Sequence, residues 1–270
     1  MFKSGYVNLI GEVNTGKSSL INTFIKKKIL IISGRPGSTI DKILCILNNK
    51  NYQIIFSDIP GINFYIKNNI FSIKNYLLES DVLLYLVIPK YNIFINNYIK
   101  KIINYINNNN ILVFLVINKI DIYSKKKIKF TENFWKKKFK KIKIFKISVK
   151  KKKNIKYLLN NIIKKLKNNI PFYNKNNIIY KSRNYIINEY IRESIFLYLR
   201  DEIPYNIKIK SYIYNIYIKK IFIYSCFFIK KKSYKKIILS NINKIYYKSL
   251  ILLKYFFKKK IFLKIKIKYL

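Results

Sequence analysis

Residues 11–18, with the sequence GEVNTGKS, fit the pattern G-x-x-x-x-G-K-[S/T] between an apolar run and a stretch with helical spacing. Glycine is rare in this chain, with six among 270 residues. A loop that wraps backbone N–H groups around phosphate oxygens needs positive φ and close backbone approach, which glycine supplies with least strain. Gly11 and Gly16 therefore predict a phosphate-binding loop, in which Lys17 reaches the β- and γ-phosphates and Ser18 is a ligand for Mg²⁺.

Two later segments can complete the phosphate side of this site. In GSTID (37–41), Thr39 is placed to close over Mg²⁺ when a γ-phosphate is present. In DIPG (58–61), Asp58 can hold Mg²⁺ through a water and the Gly61 N–H can reach the γ-phosphate. We expect Lys17, Thr39 and Gly61 to serve catalysis and Ser18, Thr39 and Asp58 to hold the metal. The expected phosphate-binding residues are Gly11, Glu12, Val13, Asn14, Thr15, Gly16, Lys17, Ser18, Ser19, Asp58, Ile59, Pro60 and Gly61.

NKID (118–121) and SVK (148–150) each follow a strand-like run and can bind the base. The Asp121 carboxylate can accept from both N1–H and the 2-amino group of guanine, a pair of donors that adenine lacks. Asn118 would hold the loop and the base edge, the Lys119 stem would cover the base, and a backbone N–H of SVK can meet guanine O6. Each segment alone could be an ordinary loop, but together and in order they predict a GTP site. The expected guanine-binding residues are Asn118, Lys119, Asp121, Ser148, Val149 and Lys150.

This set of motifs resembles the translation-factor-like GTPases, whose loop after the first helix carries Gly-x-Thr. Ile62 follows DIPG, where signalling GTPases place a glutamine that orients the attacking water. A backbone group, a metal ion or a partner must then position that water, so we expect slow hydrolysis unless K⁺ or ribosomal RNA stimulates it. The resemblance implies that Asn14 helps to hold K⁺; drift towards asparagine in this Asn-rich chain is the alternative explanation.

The apolar runs predict an α/β domain followed by a smaller α+β domain. Strand-like runs alternate with helical stretches up to about residue 168, which is typical of a mostly parallel sheet with helices on both faces. A polar run with one proline, 168–177, predicts a linker. Beyond it we expect a helix over 183–204, two strands within 205–229, a helix over 243–257 and a strand over 261–270. The predicted domains are 1–170, a GTPase domain, and 171–270.

Residues 191–206, IRESIFLYLRDEIPYN, resemble the start of the C-terminal domain of the Era GTPases, in which a helix with Ile-Arg-Glu runs into Glu-Leu-Pro-Tyr. Three of the four arginines of the chain lie at 183, 192 and 200, although lysine is its usual basic residue. The resemblance covers essentially the whole chain. It implies a GTPase domain joined to a KH domain that binds 16S rRNA and assists assembly of the 30S ribosomal subunit. The matching positions are Arg192, Glu193, Glu202, Pro204 and Tyr205.

A KH domain clamps single-stranded RNA with a Gly-x-x-Gly loop between two helices. Aligned without gaps, residues 235–244 fall at that loop, and Ser240 and Asn243 occupy the glycine positions. Asparagine tolerates positive φ better than most residues, so the turn can persist, although both side chains then stand where the RNA backbone would pass. Nearby lysines can add phosphate contacts. The expected RNA-binding residues are Lys235, Lys236, Ser240, Asn241, Ile242, Asn243 and Lys244.

The formal net charge is +45, from 56 basic and 11 acidic residues. This charge favours a nucleic-acid or anionic-membrane partner, although the excess of Lys, Ile and Asn is also typical of a very AT-rich genome. Histidine is absent, which excludes His-based catalytic triads and His metal sites. We expect a cytoplasmic monomer that binds GTP or GDP, Mg²⁺, 16S rRNA and the 30S subunit. Peripheral contact with the inner membrane is the alternative location, and a nucleotide-binding RNA scaffold with little hydrolysis is the alternative function.

Overall fold

The computed structural model describes residues 1–30, 43–58, 70–139, 141–175, 179 and 181–269, with the backbone alone at 58 and 70–73. By contacts the chain divides into two compact units. Unit 1 comprises Met1–Lys26 and Thr39–Tyr180, and unit 2 comprises Lys27–Ser38 and Lys181–Leu270. The predicted division at residues 170 and 171 stays a prediction about independent domains. Within the described ranges, no helix is both long and apolar enough to cross a membrane.

Unit 1 contains a mostly parallel sheet with helices between its strands, as the alternation of apolar runs predicts. The strand order is β2-β3-β1-β4-β5-β6, with β7 pairing β1. The strand β2 is antiparallel to β3 and β7 is antiparallel to β1, whereas the other neighbours are parallel. The elements are β1 (Lys3–Gly11), α1 (Lys17–Ile25), β2 (Ile43–Asn48), β3 (Tyr52–Asp58), α2 (Ile70–Leu78), β4 (Val82–Val87), α3 (Asn97–Asn108), β5 (Val113–Ile117), α4 (Lys125–Lys136), β6 (Ile142–Lys146), α5 (Ile155–Lys165) and β7 (Lys167–Asn168).

The core of unit 1 lies on the two central strands. Every residue of β4 and β5 is buried, which is the pattern of parallel strands covered on both faces. One helix that covers them, α3, begins where the Asn96 side chain accepts a hydrogen bond from the Ile99 N–H, and it buries one apolar stripe. Because these strands are parallel, their carboxyl ends meet at one edge, and the loops with the predicted nucleotide motifs follow there.

The segment predicted as a linker is bound to unit 1 over its first part. The short strand β7 pairs with the start of β1. The Ser4 hydroxyl donates to the Ile170 carbonyl over 2.7 Å, and the Tyr173 N–H donates to the Gln53 side-chain oxygen over 2.9 Å. The linker prediction is therefore wrong as far as Tyr173, because this polar stretch finds its hydrogen bonds on the edge of the sheet.

Unit 2 is an α+β arrangement with a three-stranded sheet in the order β10-β9-β8. The strand β10 is parallel to β9, and β8 is antiparallel to it. The helices α6 and α7 contact each other and the sheet, and the fully buried hydroxyls of Ser194 and Ser249 lie 3.0 Å apart between them. The elements are α6 (Arg183–Tyr198), a 3₁₀ helix (Ile203–Asn206), β8 (Lys208–Ile216), β9 (Lys220–Ile229), α7 (Lys232–Phe257) and β10 (Lys260–Tyr269).

The helix predicted over 183–204 ends earlier, at Tyr198. Leu199 has an extended backbone, with φ −100° and ψ 150°, and Asp201 has φ 54°. Neither conformation continues an α-helix. The helical character resumes only as a 3₁₀ turn that contains Pro204 near its start, where a missing N–H does no harm.

A single helix of 26 residues, α7, replaces the predicted turn at Ser240–Asn243. The Ser240 hydroxyl and the Asn241 amide both donate back to the Ile237 carbonyl, as side chains inside a helix do. Without glycine, the region lacks the residue that most readily takes the left-handed conformation at a helix end, and its asparagines are part of the helix instead. The buried positions keep one helical face across this region, which stabilises the continuous form; they are Tyr234, Ile238, Ile245, Ser249, Leu252 and Leu253.

Candidate guanine-nucleotide site

The two glycines of the phosphate loop lie where no side chain fits. Gly11 has φ 149°, and a Cβ there would lie 2.3 Å from the Leu86 carbonyl oxygen. Gly16 has φ 97°, and a Cβ there would lie 2.4 Å from the Asn118 side-chain nitrogen. Both contacts are far shorter than a van der Waals contact, and both backbone angles are in the region that favours glycine. The spacing of these glycines is therefore a steric requirement of the loop.

The Lys17 ammonium lies within the loop. It donates to the Gly11 carbonyl over 3.1 Å and to the Glu12 carbonyl over 3.0 Å, and the side chain is mostly buried. The Thr15 hydroxyl donates to the same Glu12 carbonyl over 2.9 Å, which holds the curvature of the loop. The following helix, α1, has Gly16 as its N-cap and no side-chain cap. A cation and a helix N-terminus at one place form a binding site for an anion.

Lys90 is a contact of the loop that sequence reasoning missed. Its ammonium lies 2.5 Å from a Glu12 carboxylate oxygen, and its backbone N–H donates to the buried Thr131 hydroxyl over 3.0 Å. Burial, and secondarily the Glu12 charge, raises the pKa of the adjacent Tyr85 phenol well above its ordinary value. Lys90 belongs to none of the predicted motifs. The signal that could have identified it is its position shortly after the buried strand β4.

The Asn118 side chain joins three loops. Its amide donates to the Thr15 carbonyl of the phosphate loop over 2.8 Å. Its oxygen accepts from the Lys119 N–H over 2.8 Å and from the Val149 N–H over 3.2 Å. The side chain is almost completely buried. The phosphate loop, the NKID loop and the SVK loop are thus held in one arrangement by a residue predicted only to fix its own loop and the base edge.

Asp121 lies at the open end of this arrangement with its carboxylate in solvent. A hydrogen bond with Ser148 is the main cause that holds the pKa of Asp121 below its ordinary value, with Lys150 and Lys151 adding to it. Ser148 is itself fully buried, and its hydroxyl accepts from the Lys151 N–H over 3.0 Å. Asp121 is therefore ionised at neutral pH and available as an acceptor for two donors on a base.

These side chains surround an open pocket of about 320 Å³ in unit 1. That volume is at the lower end of the range for small-molecule sites. Ile122, which is 63% exposed at its rim, was not predicted; an apolar side chain beside the NKID loop can cover one face of a base. The pocket is lined by Gly16, Ser19, Asn118, Lys119, Asp121, Ile122, Val149 and Lys150.

The metal side of the site is described in part. Ser18 is the second residue of α1, and Asp58 is the last residue of β3. Asp58 pairs in register with Leu9, two residues before the phosphate loop, so its backbone lies beside the start of that loop. A hydroxyl and a carboxylate are ligand types that suit Mg²⁺. Four predicted site residues lie outside the described residues, as does Ile62; these four are Thr39, Ile59, Pro60 and Gly61.

The predicted RNA-binding residues lie along α7 in unit 2. Lys235, Lys236 and Lys244 are exposed, whereas the residues expected to form a turn between them are helical. Ser240 and Asn243 are therefore side chains on the surface of a helix, and Asn241 and Ile242 are partly buried. The clamp geometry of a Gly-x-x-Gly loop is not formed here, so any phosphate contact at this place comes from the lysines.

The charged residues that carried the second-domain resemblance are ordered in unit 2. Glu193 accepts from the Lys28 ammonium over 2.6 Å, and the Arg192 Nε lies 3.5 Å from a Glu189 carboxylate oxygen. A backbone hydrogen bond, and secondarily the Tyr234 hydroxyl that donates to the carboxylate over 3.2 Å, holds the pKa of Glu202 below its ordinary value. The Lys28 contact joins α6 to its neighbour, and the Tyr234 contact joins the residue before the 3₁₀ helix to α7.

Sequence comparison matches residues 6–119 to the family described as 50S ribosome-binding GTPases. GTPase Era of Alkaliphilus oremlandii is 52% identical over 62 residues, which are 23% of this chain and 21% of that protein. GTPase Era of Clostridium botulinum is 49% identical over 63 residues, with the same shares. The matched segment spans about a fifth of the length of these curated relatives.

Structural comparison extends the likeness to both units. A crystal structure of Era in complex with MgGDPNP and nucleotides 1506–1542 of 16S ribosomal RNA matches with a TM-score of 0.86 and 27% identity, over 100% of this chain and 94% of that one. A variant of Aquifex aeolicus Era bound to GDP and AlF4⁻ matches with the same TM-score and coverage at 26% identity. The predicted fold class, a P-loop GTPase domain followed by a KH-like α+β domain, is confirmed.

Proposed function

We propose that the chain is a GTPase of the Era family, which hydrolyses GTP to GDP and phosphate and binds 16S rRNA to assist assembly of the 30S subunit. The observation that carries the nucleotide part is the Asn118 side chain, which holds three loops around one pocket. The RNA part is supported by the whole-chain likeness to an Era structure that contains 16S rRNA nucleotides.

In this proposal the phosphates lie against the loop 11–18 and the base lies over the NKID loop. Lys17 supplies a positive charge that is already held within the loop, so little reorganisation accompanies binding. Asp121, which is ionised, accepts from N1–H and the 2-amino group of guanine. A base without those donors leaves the carboxylate unpaired against the pocket, which disfavours ATP.

Hydrolysis in this proposal uses Mg²⁺ held by Ser18, Thr39 and, through a water, Asp58. The ion supplies charge stabilisation for the transferring phosphoryl group when it is bound. The Gly61 N–H would contact the γ-phosphate. Asn14 has φ 60°, a conformation that asparagine tolerates, and we propose that its side chain helps to hold K⁺ beside the phosphates. Phosphate release measured in matched KCl and NaCl buffers tests this last role.

The nucleotide part is tested by titrating fluorescent GDP and GTP analogues, with unlabelled GTP, ATP and XTP as competitors. K17A should abolish tight GTP binding, and unchanged affinity would contradict the phosphate-loop assignment. D121N should shift the preference towards xanthosine nucleotides, because an amide suits a 2-oxo group where a carboxylate suits a 2-amino group. If D121N still prefers GTP, the role of Asp121 is wrong. K125Q, which removes an exposed charge at the start of α4, is a charge control that should keep the preference for guanine.

The RNA part is tested with an oligonucleotide that matches the 3′ end of 16S rRNA and a scrambled control. Each is titrated in the presence of GDPNP and of GDP. We propose that the GTP state binds the matched RNA more tightly, and that hydrolysis releases it. Phosphate contacts from Lys235, Lys236 and Lys244, which are exposed on α7, contribute to this binding. Equal binding of the two oligonucleotides in both nucleotide states would contradict the proposal.

One observation favours the alternative function, a nucleotide-binding RNA scaffold with little hydrolysis. The continuous helix α7 stands where a Gly-x-x-Gly clamp would grip the RNA backbone. Binding would then be mainly electrostatic, with a steep salt dependence and no linkage to the nucleotide. The titrations above distinguish the two functions, because only the switch function makes GDPNP and GDP differ.

We propose that the protein is a monomer and is located in the cytoplasm. Peripheral contact of its lysine-rich surface with the anionic inner membrane is the alternative location. Flotation with vesicles that contain phosphatidylglycerol, compared with neutral vesicles, tests the membrane contact. Sedimentation velocity of the GDP-bound protein tests the oligomeric state.

A further inference from the structure

The three-stranded sheet of unit 2 has one face that neither α6 nor α7 covers. Residues of one parity face the helices and are buried, as Ile209, Ile223 and Leu263 show. The opposite face is accessible over most of its length, although Cys226 of the middle strand is buried. Tyr212 is 49% exposed, and Tyr214, at the register shift between Ile213 and Asn215, is 52% exposed. We name the accessible set the aromatic sheet face; it consists of Tyr212, Tyr214, Phe222, Tyr224 and Phe262 with Lys208, Lys210, Lys264, Lys266 and Lys268.

The aromatic rings form two neighbouring groups that together involve all three strands. Phe222 of β9 and Phe262 of β10 are stacked, with centroids 4.6 Å apart and planes at 8°. The rings of Tyr212 and Tyr224, which pair in register, have centroids 5.3 Å apart. The Tyr214 ring lies 5.8 Å from Phe222 and extends the first pair onto β8. Flat π-faces therefore lie beside one another on an accessible sheet surface.

Lysines border these rings in the same register. Lys264 is the partner of Tyr224 in the pairing of β9 and β10, and Lys266 is the partner of Cys226, which pairs on its other side with Lys210. These lysines are exposed. Residues 203–270 contain no acidic residue. The face therefore combines a row of rings with positive charge that no carboxylate of its own strands neutralises.

We propose that the aromatic sheet face binds single-stranded RNA, with bases stacked on Tyr212, Tyr214 and the rings beside them and phosphates contacted by the lysines. Single-stranded RNA is the polyanion that also presents flat apolar groups, so it is complementary to both features. The inference rests on the proposed RNA-binding function and deepens it, because it gives unit 2 a second RNA surface. Such a surface needs no Gly-x-x-Gly turn, which α7 has replaced.

Lysine on edge strands has another explanation, since it prevents sheets from pairing edge to edge. Both β8 and β10 are edge strands of this sheet. That explanation requires charge at the edges, but it requires no exposed tyrosines between them. The two half-exposed tyrosines on β8 leave apolar ring surface in water, and a bound partner would remove that surface from water. The rings, rather than the lysines, therefore carry the inference.

The test uses the full-length protein with a fluorescein-labelled oligouridylate of about 12 nucleotides, which is read by anisotropy. The double variant Y212A/Y214A removes the two most exposed rings of the face. Y247A/Y255A is its matched control, because these tyrosines are 65% and 63% exposed on α7. K264Q/K266Q removes two charges from the face, and K100Q/K101Q removes two exposed charges from α3. Binding of a fluorescent GDP analogue and the melting temperature are measured for every variant.

We expect Y212A/Y214A to weaken oligouridylate binding by about tenfold or more, while its control and GDP binding change little. K264Q/K266Q should lower the slope of log affinity against log salt by about 1.4, which corresponds to two phosphates of a single strand. The same RNA annealed to oligoadenylate should bind both tyrosine variants alike, since paired bases cannot stack on the face.

Three results would overturn the inference. If Y212A/Y214A binds all RNAs as tightly as wild type while matched 16S RNA still binds, the face is not an RNA site and the proposed function stands. If wild type binds GDP but no RNA of any sequence, both fail. If Y212A/Y214A loses binding to phosphatidylglycerol vesicles but not to RNA, the face binds a lipid surface instead.

Discussion

Removing the Asn118 side chain should weaken binding of GTP and GDP by similar factors. In N118A the Thr15 carbonyl loses its donor, and the N–H groups of Lys119 and Val149 lose their acceptor. All three groups belong to loops that surround the pocket. The side chain is 2% exposed, so water replaces these bonds poorly. Because the same three loops surround the pocket whichever nucleotide is bound, the ratio of the GTP and GDP affinities should stay unchanged.

The magnitude follows from the number of bonds. Three hydrogen bonds at a net of about 0.5 to 1.5 kcal/mol each give a total of about 1.5 to 4.5 kcal/mol. Part of this reduces the stability of unit 1, and part reduces affinity, since nucleotide binding needs all three loops in place. If about 2 kcal/mol appears in binding, the dissociation constants of both nucleotides rise about 30-fold.

The assay is a titration of fluorescent GDP and a GTP analogue with wild type, N118A and the control N109A. Asn109 also donates through its amide to a backbone carbonyl, that of Tyr105 over 2.8 Å, but it is exposed at the end of α3. N109A should bind both nucleotides like wild type. Melting temperatures show the share of the effect that appears as stability. If N118A has a lower melting temperature but binds both nucleotides within threefold of wild type, Asn118 does not hold the three loops for binding.

Three further outcomes are expected. S148A should raise the pKa of Asp121, because it removes the hydrogen bond that lowers this pKa. The ionised carboxylate that binds guanine is lost as the pH falls through the pKa, so the acid limit of GDP binding should move to higher pH. Carboxyl NMR measures the pKa of Asp121 in both proteins. S240G/N243G should lower the free energy of unfolding by about 1 kcal/mol in urea, because both positions are helical; a gain in stability would indicate a turn. Raising NaCl from about 0.05 M to about 0.5 M should raise the melting temperature by several degrees, because the net charge of +45 repels itself; an unchanged value would show that this repulsion is unimportant.

The nucleotide loops could be predicted from the sequence because their requirements are local. A glycine pair at a fixed offset, followed by Lys17, defines the phosphate loop wherever a strand precedes it and a helix follows. The parallel sheet then brings the loops after β1, β3 and β5 to one edge without further information. Asn118 was predicted to hold its own loop, and the three-loop tether follows from that placement.

The contacts that sequence reasoning missed depend on tertiary proximity. Lys90 meets Glu12 across 78 positions, and the Ser4 hydroxyl meets the Ile170 carbonyl across 166. A polar run such as 168–177 has the composition of a linker, and its partners, the start of β1 and the Gln53 side chain of β3, lie far away in the sequence. No local pattern records such partners. The linker prediction was therefore wrong because it rested on composition, which carries no information about tertiary partners.

The error at Ser240 has a different cause, because the local pattern was present and the family resemblance outweighed it. Tyr234, Ile238, Ile245 and Leu252 keep one helical phase through the predicted turn, which favours a continuous helix.

The glycines that this chain keeps and those it lacks have one physical explanation. A side chain at Gly11 or Gly16 would collide with atoms within 2.4 Å, so the nucleotide loop cannot form without glycine. At positions 240 and 243 a continuous helix buries its apolar face without a turn, so the fold does not require glycine there. Binding RNA through a surface of rings and lysines is consistent with that outcome, because stacking and charge make no demand on backbone φ.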